Sequence, residues 1–327
     1  GHWADSAGDR SPFGLNFSQT IRVIDELKRH NKLKCLKMLH YHQGSQIPKV
    51  STIRLAAQEA ARVYANLVKE GAPMGLLNLG GGLAVDYSGR NVADENSMNY
   101  TLREYCADIV EVISQICDKA GVAHPNLISE SGRALTAHHA VLITSVVDSE
   151  VAPSGVLEAP HPEAPTALQS LYHLPEHIEA DGPIECLHDA ANYLTDAQTQ
   201  YTLGLIPLRD RAYAERAYYA VARAVLPKLD PTIRAERDAL DELREKLSAK
   251  YFCNFSVFQS VPDAWAIDQV FPIVPIHRLA ERPAIRGRLC DLTCDSDGRL
   301  DLYVDREGVV STMALHELQP EQPYLLA

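Results

Sequence analysis

Gly75-Leu76-Leu77-Asn78-Leu79-Gly80-Gly81-Gly82 is the stretch on which the fold turns. A short apolar run that stops at three consecutive glycines reads as a buried strand passing directly into a tight loop. Upstream, Cys35-Leu36-Lys37-Met38-Leu39 is a second strand-like run, and it passes into His40-Tyr41-His42-Gln43-Gly44-Ser45. Downstream, Asn126-Leu127-Ile128-Ser129 is a third, passing into Glu130-Ser131-Gly132-Arg133. Helical stripes precede and separate them. Ser18 to Lys28 carries Ile21, Ile24 and Leu27 on one face. Ser51 is placed to cap a helix bearing Ile53, Ala56, Ala60, Tyr64 and Leu67, stopped by Gly71. Tyr105, Ile109, Val112 and Ile116 mark a further helix closed by Gly121. The residues just past each strand lie 38 apart from His42 to Gly80 and 50 apart from Gly80 to Glu130. Such alternation predicts parallel strands joined by crossover helices. The unusual residues all follow a strand's C-terminal end, where barrels and open α/β sheets both build their sites.

Beyond this region the pattern changes twice. Glu150 to Pro165 is rich in Pro, His, Glu and Ala and reads as a linker or surface loop. Ala212 to Leu226 is an Ala- and Tyr-rich helix, and Asp230-Pro231 sets an N-cap and N1 proline before another. Ile233, Leu240, Leu243 and Leu247 stripe that last helix, whose other side is charged, as in a small helical bundle. After Lys250, apolar runs broken by Pro and Gly predict β structure. The organisation expected is therefore residues 1–149, a 150–250 linker and helical bundle, and a 251–327 β region. No internal repeat is evident.

Composition narrows the class. The chain has 327 residues, 46% of them hydrophobic and 23% charged, which is the profile of a folded globular protein. Its 43 Asp and Glu against 31 Lys and Arg give a net charge of -12. That balance argues against a surface for nucleic acid or anionic lipid, which needs clustered positive charge. No apolar run approaches the roughly 20 residues that span a bilayer. The seven cysteines, at 35, 106, 117, 186, 253, 290 and 294, are too scattered for a disulfide framework. The opening Gly1-His2-Trp3 has no initiator Met, and the end, Tyr324-Leu325-Leu326-Ala327, is apolar, so both ends are expected to be cuts through a longer protein.

Four motifs could carry chemistry. Gly80-Gly81-Gly82 could cradle a phosphate with its N–H groups, or simply form a tight turn. His40 and His42 could be two metal ligands; alternatively one faces a cofactor while Ser45 donates to a phosphate, or one is a hydrogen-bonded core residue. Glu130 could hold a ring nitrogen protonated while Arg133 grips phosphate oxygens, or the two could be a surface ion pair. Cys290-Asp291-Leu292-Thr293-Cys294-Asp295-Ser296-Asp297-Gly298 gathers acids around two thiols. It suits a cationic substrate, a catalytic thiol, or an Asp-Gly turn.

Taken together, these motifs resemble the pyridoxal-phosphate decarboxylases with an alanine-racemase-like barrel (fold type III). The residues that carry the resemblance are 39–46, Asn78 to Leu83, Ser129 to Ala134 and Cys294-Asp295. Ser260-Val261-Pro262-Asp263-Ala264-Trp265-Ala266-Ile267-Asp268-Gln269 and Leu292 to Gly298 narrow it to the biosynthetic arginine decarboxylase family, and Ser11 to Leu15 and Ala134 to His139 fit as well.

The resemblance implies an α/β fold: part of a TIM-type (β/α)8 barrel that binds pyridoxal 5'-phosphate, a helical insertion, and part of a C-terminal β domain. It implies decarboxylation of arginine to agmatine and carbon dioxide in polyamine (spermidine) biosynthesis, by a cytoplasmic homodimer with shared active sites, magnesium being a further ion. His42 would stack on the cofactor ring and count among the catalytic residues, and Ser45, Gly80, Gly81, Gly82, Gly132 and Arg133 would hold the phosphate. Glu130 would pair with the ring nitrogen. Cys294 would return the proton after carbon dioxide leaves and Asp295 would hold the substrate's basic end, both supplied from the neighbouring subunit; the stretch offers Asp291, Asp295 and Asp297 to a guanidinium, with Asp297 taken beside Asp295 as substrate-binding. The family's Schiff-base lysine has no counterpart in a matching motif, Lys37 standing in a different context, and a phosphate-contacting tyrosine is also unmatched. The chain is thus expected to be an internal part of such an enzyme and inactive alone. Rival readings are a non-catalytic homologue that regulates by dimerising, a decarboxylase for another basic amino acid, and a zinc amidohydrolase built on His40 and His42.

Overall fold

A computed structural model describes residues 13–306 and 308–327. Gly1-His2-Trp3 and Ser11-Pro12, used in the sequence reading, lie outside the described residues. The chain forms two compact units: the first runs to Val141 and regains Val270–Pro272, and the second holds Leu142–Gln269 and Ile273–Ala327.

In the first unit, helix α1 (Phe17–Arg29) begins at a reciprocal cap in which Asn16 and Gln19 exchange backbone and side-chain hydrogen bonds. Strand β1 (Met38–His40) follows, then α2 (Val50–Lys69), β2 (Leu76–Asn78), α3 (Leu102–Ala120), β3 (Asn126–Ile128) and the single turn α4 (Gly132–Thr136). The strands form a parallel sheet in the order β1-β2-β3, with Leu39 opposite Leu77 and Leu77 opposite Leu127. Helices α2 and α3 bury Ile53, Ala57, Ala61, Tyr64, Ile109, Ile113 and Cys117 in one core with Leu77 and Leu79. Small residues at 57, 60 and 61 let α2 approach closely. Thr101 and Glu104 cap α3 reciprocally, and Gly121 ends it in the left-handed region at φ 68°.

Local chemistry moves three expected boundaries. Lys32 to Cys35 closes into a 3-10 turn, so β1 starts at Met38 rather than Cys35. Helix α2 starts at Val50, whose N–H is taken by Asn99 Oδ1 at 3.2 Å, so Ser51 lies inside the first turn and does not cap. Asp230 forms no N-cap either: its carboxylate accepts from Thr232 N–H and Oγ, and the helix begins only at Arg234.

In the second unit, β4 (Thr144–Glu150) leads through the irregular 151–165 segment to α5 (Thr166–Asp181), α6 (Pro183–Thr202), α7 (Leu208–Val225) and α8 (Arg234–Leu247). These helices pack Leu168, Leu171, Ile178, Ala190, Ala214, Val221, Val225 and Leu243 into a core of their own. The 151–165 segment is pinned to α7, where Tyr213 Oη donates to the Glu158 carbonyl at 2.8 Å and Arg223 donates to that of Ala152 at 2.8 Å. Then follow β5 (Ala249–Cys253), α9 (Val257–Ser260), α10 (Pro262–Ile267), β6 (Ile285–Cys290), β7 (Tyr303–Asp305), β8 (Gly308–Val310), β9 (Met313–Leu315) and β10 (Tyr324–Leu326). A five-stranded sheet runs β10-β4-β5-β6-β9, so the whole bundle is inserted between two adjacent antiparallel strands, β4 and β5. Tyr251, Leu289, Tyr303 and Leu315 fill the core of this sheet. Among the described residues no helix is long and apolar enough to cross a membrane.

Candidate active site

Parallel pairing carries the ends of β1, β2 and β3 to the same side, and the loops there converge. Gly80 adopts φ 64°, and a Cβ on it would lie 2.2 Å from the Tyr41 carbonyl oxygen. Gly82, at φ 108°, would put a Cβ 2.8 Å from Ile47 Cδ1. The glycines are thus required by close approach of the β1 loop. Their N–H groups are partly spoken for: Gly80 N–H donates to Asn78 Oδ1 at 2.9 Å, and Gly81 N–H donates to His42 Nδ1 at 3.3 Å. Those two N–H groups stabilise the loop itself.

Asn78 is buried at the end of the central strand. Its Oδ1 closes an Asx turn on Gly80, and its Nδ2 donates to Glu130 Oε1 at 2.7 Å. Glu130 N–H in turn donates to the Gly80 carbonyl at 2.8 Å. His40 Nδ1 stands 4.0 Å from the same carboxylate oxygen. His42, Gly80, Gly81, Gly82 and Glu130 are therefore brought together, with His40 beside them. His40 and His42 have different neighbours, and among the described residues no three His, Cys, Asp or Glu side chains converge on a metal position. Ser45 is exposed on the β1 loop, and Gly132 opens α4 with its N–H donated to the Glu130 carbonyl at 2.9 Å. Arg133 donates through Nη1 to Tyr87 Oη at 3.2 Å.

The Cys-Asp loop belongs to the second unit. Asp291 is buried there, and its carboxylate accepts from Val257 N–H at 2.9 Å, Thr293 N–H at 2.8 Å and Thr293 Oγ1 at 2.6 Å. Burial alone would raise its pKa, but the Thr293 hydroxyl and the two N–H groups outweigh that and hold it below the ordinary carboxylate value. Asp291 is committed to the loop's own structure, so the acids left to meet a ligand are Asp295 and Asp297. Asp295 Oδ1 accepts from Asp297 N–H at 2.9 Å, which turns the chain toward Gly298. Cys294 is exposed, whereas burial pushes the Cys290 thiol pKa up.

Asn78 and Tyr87 are additions to the site residues expected from the sequence. A lone amide in an otherwise apolar strand was the available signal for Asn78; nothing in the local sequence ties Tyr87 to Arg133.

Comparison with known proteins now bears on this arrangement. The family described as "Pyridoxal-dependent decarboxylase, pyridoxal binding domain" matches residues 1–137, and "Arginine decarboxylase helical bundle domain" matches residues 161–244. The chain is 50% identical, over its full 327 residues, to the biosynthetic arginine decarboxylase of Alkalilimnicola ehrlichii, covering 52% of that protein. Along its whole length the chain is similar to biosynthetic arginine decarboxylases. The biosynthetic arginine decarboxylase of Escherichia coli is 40% identical over 330 aligned residues, and the chain covers 50% of that protein. The Campylobacter jejuni biosynthetic arginine decarboxylase superposes with a TM-score of 0.78 at 34% identity, across 96% of this chain and 50% of that one. Diaminopimelate decarboxylase from Helicobacter pylori shares the fold alone, with a TM-score of 0.53 at 13% identity. The chain spans about half the length of the curated relatives it matches. The three parallel strands and their helices are the α/β pattern expected of part of a TIM-type barrel.

Proposed function

We propose that this chain carries the cofactor-binding strand ends and the substrate-binding Cys-Asp loop of a pyridoxal-phosphate-dependent enzyme that converts L-arginine to agmatine and carbon dioxide. The observation that carries the reading is the convergence of His42, the glycine triplet and Glu130 at three parallel strand ends, in a chain whose whole length aligns with arginine decarboxylases. The residues fit the cofactor by donor chemistry: an acid for a ring N–H, a flat imidazole, and a guanidinium for a phosphate. Gly44 and Gly132 border open space, a Cβ on either meeting nothing within 4 Å.

Glu130, oriented by Asn78, would accept from the pyridine N–H, and an ionised carboxylate there holds that proton in place. His42 is fixed edge-on by Gly81 N–H and so offers its ring face for stacking. Arg133 with Ser45, Gly82 and Gly132 would meet the phosphate. Bound there, pyridoxal phosphate supplies an electron sink for the pair released as carbon dioxide leaves. Cys294, held on a loop stapled by Asp291, would then deliver a proton to the substrate carbon. Asp295 and Asp297 would pair with the guanidinium, in keeping with the acidic balance of the chain. The loop would serve the site of a second subunit, in a cytoplasmic homodimer of the polyamine pathway; seven free cysteines agree with a reducing setting. Magnesium is assigned to no residue.

The test is turnover by the product of the intact gene supplied with cofactor. Arginine should yield agmatine and carbon dioxide well ahead of ornithine, lysine and diaminopimelate, and Cys294→Ala should slow the reaction. Preference for another basic amino acid would reassign the substrate, and no turnover of any would favour a regulatory homologue.

A further inference from the structure

Arg133 is the cation assigned above to the phosphate, and its surroundings contain a device that assignment does not use. Tyr87 lies on the loop that follows the glycine triplet. Its hydroxyl accepts from Arg133 Nη1 at 3.2 Å, and the guanidinium carbon stands 5.9 Å from the centroid of its ring. One side chain thus contacts Arg133 both through an edge hydrogen bond and through the ring. Tyr87 is itself braced. Phe271 meets its ring edge-on, with centroids 6.3 Å apart and planes at 81°. That phenylalanine arrives from far along the chain, in the three-residue segment Val270–Pro272 that rejoins the first unit. The Tyr87 loop is tied down at its start, where Gln46 and Val85 exchange two hydrogen bonds, at 2.6 and 3.0 Å. Within the loop, the Asp86 carboxylate accepts from Asn91 N–H at 3.0 Å.

We propose that Tyr87, braced by Phe271, is a positioning residue that aims the Arg133 guanidinium at the phosphate of the bound cofactor. A free arginine side chain has many rotamers, and fixing it in advance removes an ordering cost that phosphate binding would otherwise carry. The inference rests on the reading of Arg133 given above, and it predicts selectivity for the phosphate group rather than general tightness.

The experiment compares two probes that lack the aldehyde and so cannot react with lysines: 4′-deoxypyridoxine 5′-phosphate and 4′-deoxypyridoxine. Equilibrium dialysis against the full 327-residue chain gives the ratio of their dissociation constants. Tyr87→Phe keeps the ring contacts and removes only the hydroxyl. It should lower the preference for the phosphorylated probe about 3- to 10-fold, the range of one ordinary hydrogen bond, with little change for the other probe. Phe271→Ala should shift the ratio in the same direction. In an Arg133→Ala background, Tyr87→Phe should change the ratio no further, because the two act through one path. An unchanged ratio in Tyr87→Phe, equal weakening of both probes, or a full effect persisting without Arg133 would each overturn the proposal. If the unaltered chain shows no preference for the phosphorylated probe, the phosphate assignment of Arg133 fails first, and this inference falls with it.

Discussion

Replacing Gly80 by alanine tests whether the strand-end loops are as tightly joined as described. The added Cβ would sit 2.2 Å from the Tyr41 carbonyl oxygen and 3.0 Å from His42 Cα. Ordinary carbon-to-carbonyl approach is about 3.3 Å, so the β1 loop must retreat by roughly 1 Å. Two costs add. A non-glycine residue in the left-handed region costs about 1–2 kcal/mol, and overfilling packed backbone costs about 1–3 kcal/mol. The expected destabilisation is therefore about 2–5 kcal/mol. Gly89 supplies the control, because it has a similar φ of 68° but nothing within 4 Å of a built Cβ. Gly89→Ala should cost only the conformational part, about 1–2 kcal/mol. Urea denaturation of the two variants and the parent, followed by far-ultraviolet circular dichroism, gives the comparison. Equal midpoints for Gly80→Ala and Gly89→Ala would refute the close contact between the glycine loop and the residues around His42.

Two further outcomes follow from the second unit. Asp291→Asn should destabilise the chain by about 1–3 kcal/mol at neutral pH, since the amide cannot accept all the donors that the carboxylate satisfies. The folded-state pKa of Asp291 is depressed, so its contribution is present above the unfolded value near 3.9 and is lost as pH falls through the folded one. The gap in melting temperature between parent and variant should close in acid, and a gap independent of pH would contradict the assignment. Brief alkylation with iodoacetamide at pH 8, mapped by mass spectrometry, should label exposed Cys294 well before Cys253, which is buried and has its thiol pKa pushed up to about 12. Labelling of Cys253 at a comparable rate would show that the sheet core opens readily.

The sequence disclosed elements whose cause is local and periodic. Apolar runs ending in glycines or charged clusters located β1, β2 and β3, and 3.6-residue stripes located α2, α3 and α8. What escaped was set by side chains distant in sequence or by competition among neighbours. Asn99 takes the N–H that begins α2, so a capping serine one residue later has no role. Asp230 spends its carboxylate on Thr232 instead of capping. Asp291 looked like one of three equivalent acids, and only the fold reveals Val257 N–H, 34 residues away, as the partner that buries it. Tyr87 and Phe271 are separated by most of the chain, and no pattern in either neighbourhood announces their contact. The irregular 151–165 segment read as a loop, and it is one, yet Tyr213 and Arg223 fasten it to the bundle. The strand-end site was largely visible because its residues sit in short motifs. Its wiring through Asn78 was not.

The most direct test of the central claim is a crystal structure of this chain grown with 4′-deoxypyridoxine 5′-phosphate. The ring should lie against His42, with the pyridine nitrogen within hydrogen-bond reach of Glu130 and the phosphate facing Arg133. Ligand bound elsewhere, or a saturated crystal with no density at the ends of β1, β2 and β3, would contradict the claim.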